Sequence, residues 1–128
     1  MNGLHLIADL YRCRPAGEIL TRRGALEALC VNECRQAGLT PLGAYFYQFE
    51  DEAGEPAGVT GTVVLAESHL AIHTWPETGD VTLDVYVCNF SRDNSDRARQ
   101  VFARVLALLA PEEIVRHEVV RGRLPVEA

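Results

Sequence analysis

Residues 80–88, DVTLDVYVC, alternate apolar and polar without a break. Val81, Leu83, Val85 and Val87 fall on one face, and Asp80, Thr82, Asp84, Tyr86 and Cys88 on the other. Period two sustained over this length is the signature of a strand with one face in a core, and it rules out a helix here. Residues 4–12, LHLIADLYR, repeat the pattern: Leu4, Leu6, Ala8 and Leu10 on one side, His5, Asp9 and Tyr11 on the other. Further strands are expected over 40–50, 59–66, 69–75 and 112–122, with an acidic, Gly/Pro-rich hairpin loop over 51–58. Two segments carry helical spacing instead. Residues 18–37 end at Gly38, a favourable C-cap residue. Residues 91–111 offer Asp93, Asn94 or Ser95 as cap, a stripe of Val101, Phe102, Val105, Leu108 and Leu109, and Pro111 as terminator. Hairpin-length connections between strands and two separated helices predict an α+β two-layer sandwich, a mainly antiparallel sheet with both helices on one face.

In residues 69–75, Leu70, Ile72 and Thr74 share the apolar side, and His69, Ala71, His73 and Trp75 the opposite one. The second face of the sheet therefore carries histidines, aromatics and Cys88. Such a face is seldom left to bare solvent, so a ligand, a partner subunit or both are expected to cover it.

Length and charge narrow the function. A chain of 128 residues is expected to form one domain, 1–128. Its net charge of −6 argues against nucleic acid and anionic membrane as partners. No apolar run reaches membrane-spanning length and no signal-peptide pattern opens the chain, so a cytoplasmic protein is expected. The four cysteines show no C-x-x-C pairing; Cys30 and Cys34, four apart on a helix, read as small core residues. All twelve basic residues are arginine. Without a lysine the chain alone can form neither a lysine Schiff base nor a P-loop, and pyridoxal phosphate chemistry is closed to it.

The reactive inventory centres on LAESHLAIHTW, residues 65–75, where Glu67, Ser68 and His69 interrupt a strand pattern. Ser68 with His73 could make a nucleophile–base pair, Cys88 with His73 a thiolate–imidazole pair, and His69, His73 and Cys88 a metal site. Each has a structural rival, since a Ser or His in a strand is more often simply hydrogen-bonded. The metal reading fails on geometry, because positions four apart on a strand lie about 13 Å from each other. No metal is expected.

ESHLAIHTWPE followed by DVYVC resembles the pyruvoyl-dependent S-adenosylmethionine decarboxylases of the short prokaryotic type. The resemblance begins at GLHLIADLYRC, passes through GVTGTVVLAESHLAIHTWPE and reaches Cys88. It implies a proenzyme that cleaves itself between Glu67 and Ser68 into a β chain, 1–67, and an α chain, 68–128. Ser68 would attack the Glu67 carbonyl and end as a pyruvoyl group, the ketone that forms a Schiff base with substrate in place of pyridoxal phosphate. The same resemblance assigns His73 to proton transfer during processing, with Thr60 standing where the family usually has a serine that assists. Cys88 becomes the acid that protonates the substrate α-carbon, Glu77 the binder of ribose hydroxyls, and Phe49 the aromatic that stacks on adenine, with Trp75 supporting the site. It also implies a homodimer with the reactive face at or near the interface, and a place in spermidine synthesis.

Two stretches depart from the family pattern. Thr78-Gly79-Asp80 replaces an aromatic-Gly-aromatic turn, and Asn89-Phe90 replaces a glycine and an acid after the cysteine. Asp80 is either a solvated turn residue or a partner for a distal amine or guanidinium. The latter keeps decarboxylation of ornithine or arginine on the same scaffold as an alternative. A non-catalytic, unprocessed homologue that acts as a binding or regulatory partner is the second alternative.

Overall fold

The computed structural model describes residues 1–90 and 92–123. Of the short polar tail expected after residue 122, residues 124–128 lie outside them. The elements run β1 (Asn2–Tyr11), α1 (Arg23–Gln36), β2 (Pro41–Glu50), β3 (Pro56–Leu65), β4 (Ser68–Trp75), β5 (Asp80–Cys88), α2 (Ser95–Leu109) and β6 (Glu113–Gly122). The six strands form one sheet in the order β2-β3-β4-β5-β1-β6, and every neighbouring pair is antiparallel. Both helices pack on one face, giving the two-layer α+β sandwich that the alternation predicts.

The core lies between that face and the helices. Leu4, Leu6, Ala8 and Leu10 of β1, Leu70 and Ile72 of β4, and Val81, Leu83, Val85 and Val87 of β5 are buried there. Leu26, Cys30 and Cys34 meet them from α1, and Val101, Phe102, Val105 and Leu109 from α2. Cys30 and Cys34 are free thiols in this core, and burial pushes both thiol pKa values up, Cys34 to about 11. Gly61 of β3 faces the ring of Phe46 on β2, which takes the space a side chain would need: a Cβ there would lie 2.1 Å from a ring carbon.

Helix α1 starts at Arg23, five residues later than its sequence spacing suggests. The reason is not local. The Gln48 side chain on β2 accepts the Arg23 N–H at 2.7 Å and donates to the Thr21 carbonyl at 2.7 Å, so a distant strand supplies the cap. The segment before the helix is pinned from the core side by Thr74, whose hydroxyl donates to the Leu20 carbonyl at 2.7 Å. Strand β3 likewise begins three residues early, at Pro56, inside the expected loop. β6 is an edge strand exposed along its whole length. It is held by β1 pairing and by an ion pair of Glu118 with Arg99 on α2. Among the described residues no helix is long and apolar enough to cross a membrane.

Candidate active site

The two strands that carry the polar motif meet in the tightest turn of the sheet. Leu65 pairs with Ser68, leaving Ala66 and Glu67 as a two-residue hairpin loop. Glu67 has a φ of 62°, a left-handed conformation that suits glycine and costs a glutamate about 1–2 kcal/mol. The bond between residues 67 and 68 thus joins a strained residue to the first residue of β4. Ser68 is buried, and its Oγ accepts the Cys88 backbone N–H at 3.3 Å. Pairing of β4 with β5 in register, His69 opposite Tyr86, is what brings Ser68 to the end of β5 where Cys88 lies.

Cys88 is buried at the last position of β5. Its carbonyl accepts from Asn94, and Asn89 bonds both Asn94 and Ser95, so the departure Asn89 closes the loop into α2. Tyr86 stands two residues before Cys88 on the same face, and its ring passes over Gly3, the residue paired with Cys88. A Cβ at Gly3 would come within 2.9 Å of that ring. Burial raises the Tyr86 hydroxyl pKa, and the neighbouring Cys88 thiol pushes the same way, while Arg121 opposes them. The Arg121 guanidinium lies 4.8 Å from the ring centre.

A second cluster lies farther along the sheet. The Thr60 Oγ and His73 Nδ1 are 3.1 Å apart, on residues directly paired between β3 and β4. Around them Phe49, Thr60, His73, Trp75 and Glu77 line one cavity of about 340 Å³. The His73 and Trp75 rings lie 6.4 Å apart and those of Tyr47 and Phe49 5.0 Å apart. Asp80 lies outside this cavity. It lines an adjoining one of about 390 Å³ with Asp9, Tyr11, Trp75, Glu77 and Thr78, a group the sequence reading did not assemble. Trp75 and Glu77 line both cavities, and in the turn that follows the Gly79 carbonyl accepts the Cys13 N–H at 2.8 Å.

The structure therefore keeps the two clusters apart within one chain. Ser68 and His73 differ by an odd number of positions on β4 and point to opposite faces, with about 16 Å of strand between them. The nucleophile–base pair of Ser68 with His73 is not formed in the chain. Neither is the pair of Cys88 with His73, because His73 lies opposite Thr82, six residues before Cys88. One grouping the sequence reading missed does form. His5, His69 and Asp84 converge on the open face from β1, β4 and β5. Only the strand register reveals it, since the three are far apart in the chain.

Comparisons with known proteins bear on the family and the fold. The sequence profile of the S-adenosylmethionine decarboxylase family matches residues 4–122. The chain is 38% identical to a Picrophilus torridus protein named S-adenosylmethionine decarboxylase proenzyme, over 94% of this chain and 84% of the relative. It is 33% identical to a protein of the same name from Archaeoglobus fulgidus, over 94% of this chain and 97% of the relative. The crystal structure of the adenosylmethionine decarboxylase from Aquifex aeolicus superposes with a TM-score of 0.83 at 33% identity, covering 98% of this chain and 95% of that one. The chain belongs to the S-adenosylmethionine decarboxylase family.

Proposed function

We propose that this chain is a self-processing decarboxylase of S-adenosylmethionine whose prosthetic group is made from Ser68. The observation that carries the reading is the Glu67–Ser68 junction, a left-handed glutamate in a two-residue turn followed by a buried serine held against Cys88. In the proposed cleavage the Ser68 Oγ adds to the Glu67 carbonyl, and the amide becomes an ester with the proton passing to the amine. Loss of the Ser68 α-proton then expels the Glu67 carboxylate and leaves a dehydroalanine. Addition of water with release of ammonia turns this into the pyruvoyl end of chain 68–128.

The pyruvoyl group supplies the ketone that captures the substrate amine and takes up the electron pair released with carbon dioxide. The residues around it do the rest. Cys88 returns a proton to the substrate α-carbon. His73, positioned by Thr60, moves protons during cleavage. Glu77 holds the ribose hydroxyls, and Phe49 takes the adenine against its ring, with Trp75 packed beside them.

These roles require the two clusters to meet, and within one chain they lie at opposite ends of β4. A second copy placed on the open face would bring the Ser68–Cys88 end of one chain to the Thr60–His73–Glu77 end of the other. The exposed Tyr45, Tyr47, Phe49 and Trp75 give that face the apolar content of an interface. A two-fold pairing uses the same surface twice and yields two sites. We therefore propose a homodimer of cleaved protomers, a cytoplasmic enzyme supplying the aminopropyl donor of spermidine synthesis.

The carboxylates of Asp9, Glu77 and Asp80 around the adjoining cavity favour a second reading, decarboxylation of ornithine or arginine, whose distal cation would meet them. Release of carbon dioxide from carboxyl-labelled S-adenosylmethionine, ornithine and arginine, measured in parallel, decides between the two. The proposal expects release from the sulfonium substrate alone. Release from either amino acid alone would replace it by the second reading.

A further inference from the structure

His5, His69 and Asp84 stand on three adjacent strands and point the same way, onto the face away from the helices. His5 and His69 flank Tyr86, each paired with it across a strand boundary, and Asp84 lies two residues before Tyr86 on β5. The His5 Nε2 is 2.9 Å and the His69 Nε2 3.2 Å from the same carboxylate oxygen, Oδ2 of Asp84. All three donor atoms lie within 4.8 Å of one another. From this geometry we propose that the trio is a binding site for a divalent ion that favours imidazole, Zn²⁺ foremost.

The distances suit that ion. Zinc bonds of about 2.0–2.2 Å in a tetrahedral array place the ligand atoms about 3.3 Å apart. Two imidazoles and one carboxylate supply three of four ligands, the donor set of an open zinc site, and the two imidazoles favour zinc, copper, nickel or cobalt over calcium.

The support around the trio is built. The Tyr86 ring packs beside both imidazoles, 5.8 Å from the His5 ring and 5.7 Å from the His69 ring, which themselves lie 6.1 Å apart. Gly3 makes room for Tyr86 by having no side chain. The Arg121 guanidinium lies over the Tyr86 ring. In the single chain the side chains of His5, His69 and Asp84 keep 21%, 39% and 30% of their surface, so the fourth position falls to water or to a group of the second copy proposed to cover this face. The chain's net charge of −6 favours a cation at any such point. An ion held here would tie β1, β4 and β5 together at the residue that follows Ser68. The site depends on no step of the proposed cleavage.

The test is titration of the metal-stripped protein with Co²⁺, followed by its visible d–d bands and by competition with Zn²⁺. The proposal expects one ion per chain, no thiolate charge-transfer band, and affinity at least about tenfold weaker in His5→Gln, with His117→Ala unchanged. Asp84→Asn, which preserves volume, is the second variant should His5→Gln not fold. Absence of binding, a thiolate band that moves the site to a cysteine, or wild-type affinity in the folded variants would overturn it. Because the readout is metal binding, its failure leaves the decarboxylase reading untouched, and failure of cleavage leaves the metal site untouched.

Discussion

The Oγ of Ser68 lies 3.3 Å from the backbone N–H of Cys88, a residue twenty positions later that the β4–β5 register brings alongside it. The bond joins the residue proposed to become the prosthetic group to the residue proposed to protonate the substrate. Because the contact uses the Cys88 backbone, it survives replacement of the side chain. Cys88→Ala is therefore expected to cleave at the wild-type rate while its turnover falls by about 10²–10⁴. Cleavage is read by denaturing gel and turnover by carbon dioxide release. Normal turnover would remove Cys88 from its role.

The Thr60–His73 contact makes a graded prediction. His73→Ala is expected to slow cleavage by about 10²–10⁴. Thr60→Ala, which removes one hydrogen bond, should slow it roughly tenfold, and Thr60→Ser should restore it. A time course of fragment appearance measures all three. Equal rates for Thr60→Ala and Thr60→Ser would show that the hydroxyl does nothing for His73.

Gly61 tests the fold rather than the chemistry. A methyl group there collides with the Phe46 ring, so Gly61→Ala is expected to destabilise the protein by about 1–3 kcal/mol. The urea midpoint reports it. An unchanged midpoint would mean that β2 is free to shift.

The buried thiols set an alkaline limit. Burial pushes Cys13 and Cys34 up to about 11 from an ordinary value of 9.0, and raises Cys30 further. The folded state thus holds thiol protons that the unfolded chain releases. Their contribution to stability is complete below pH 9 and is lost as pH rises through 11. The urea midpoint should fall across this range, and less steeply in Cys34→Ala. Equal slopes for both proteins would contradict the assignment.

The strand alternation was legible because β1, β4 and β5 each have one face in the core, and they follow it except at Gly3 and Cys88, which are buried out of turn. The start of α1 was not, since its cap is the Gln48 side chain of another strand. The site divides the same way. The Glu67–Ser68 turn and the Thr60–His73 pair lie in one hairpin, and it was the resemblance, not spacing, that pointed to these residues. The convergence of His5, His69 and Asp84 depends on the order β4-β5-β1, which no local pattern encodes. Spacing alone also suggested pairing Ser68 with His73, and the pleat of β4 turns them to opposite faces.

The central claim is that Ser68 becomes the prosthetic group, and the mass of the purified protein tests it most directly. The account predicts two chains, 1–67 and 68–128, the second carrying a pyruvoyl end that resists Edman degradation, with Ser68→Ala intact. A single 14.1 kDa chain that persists through prolonged incubation would contradict it.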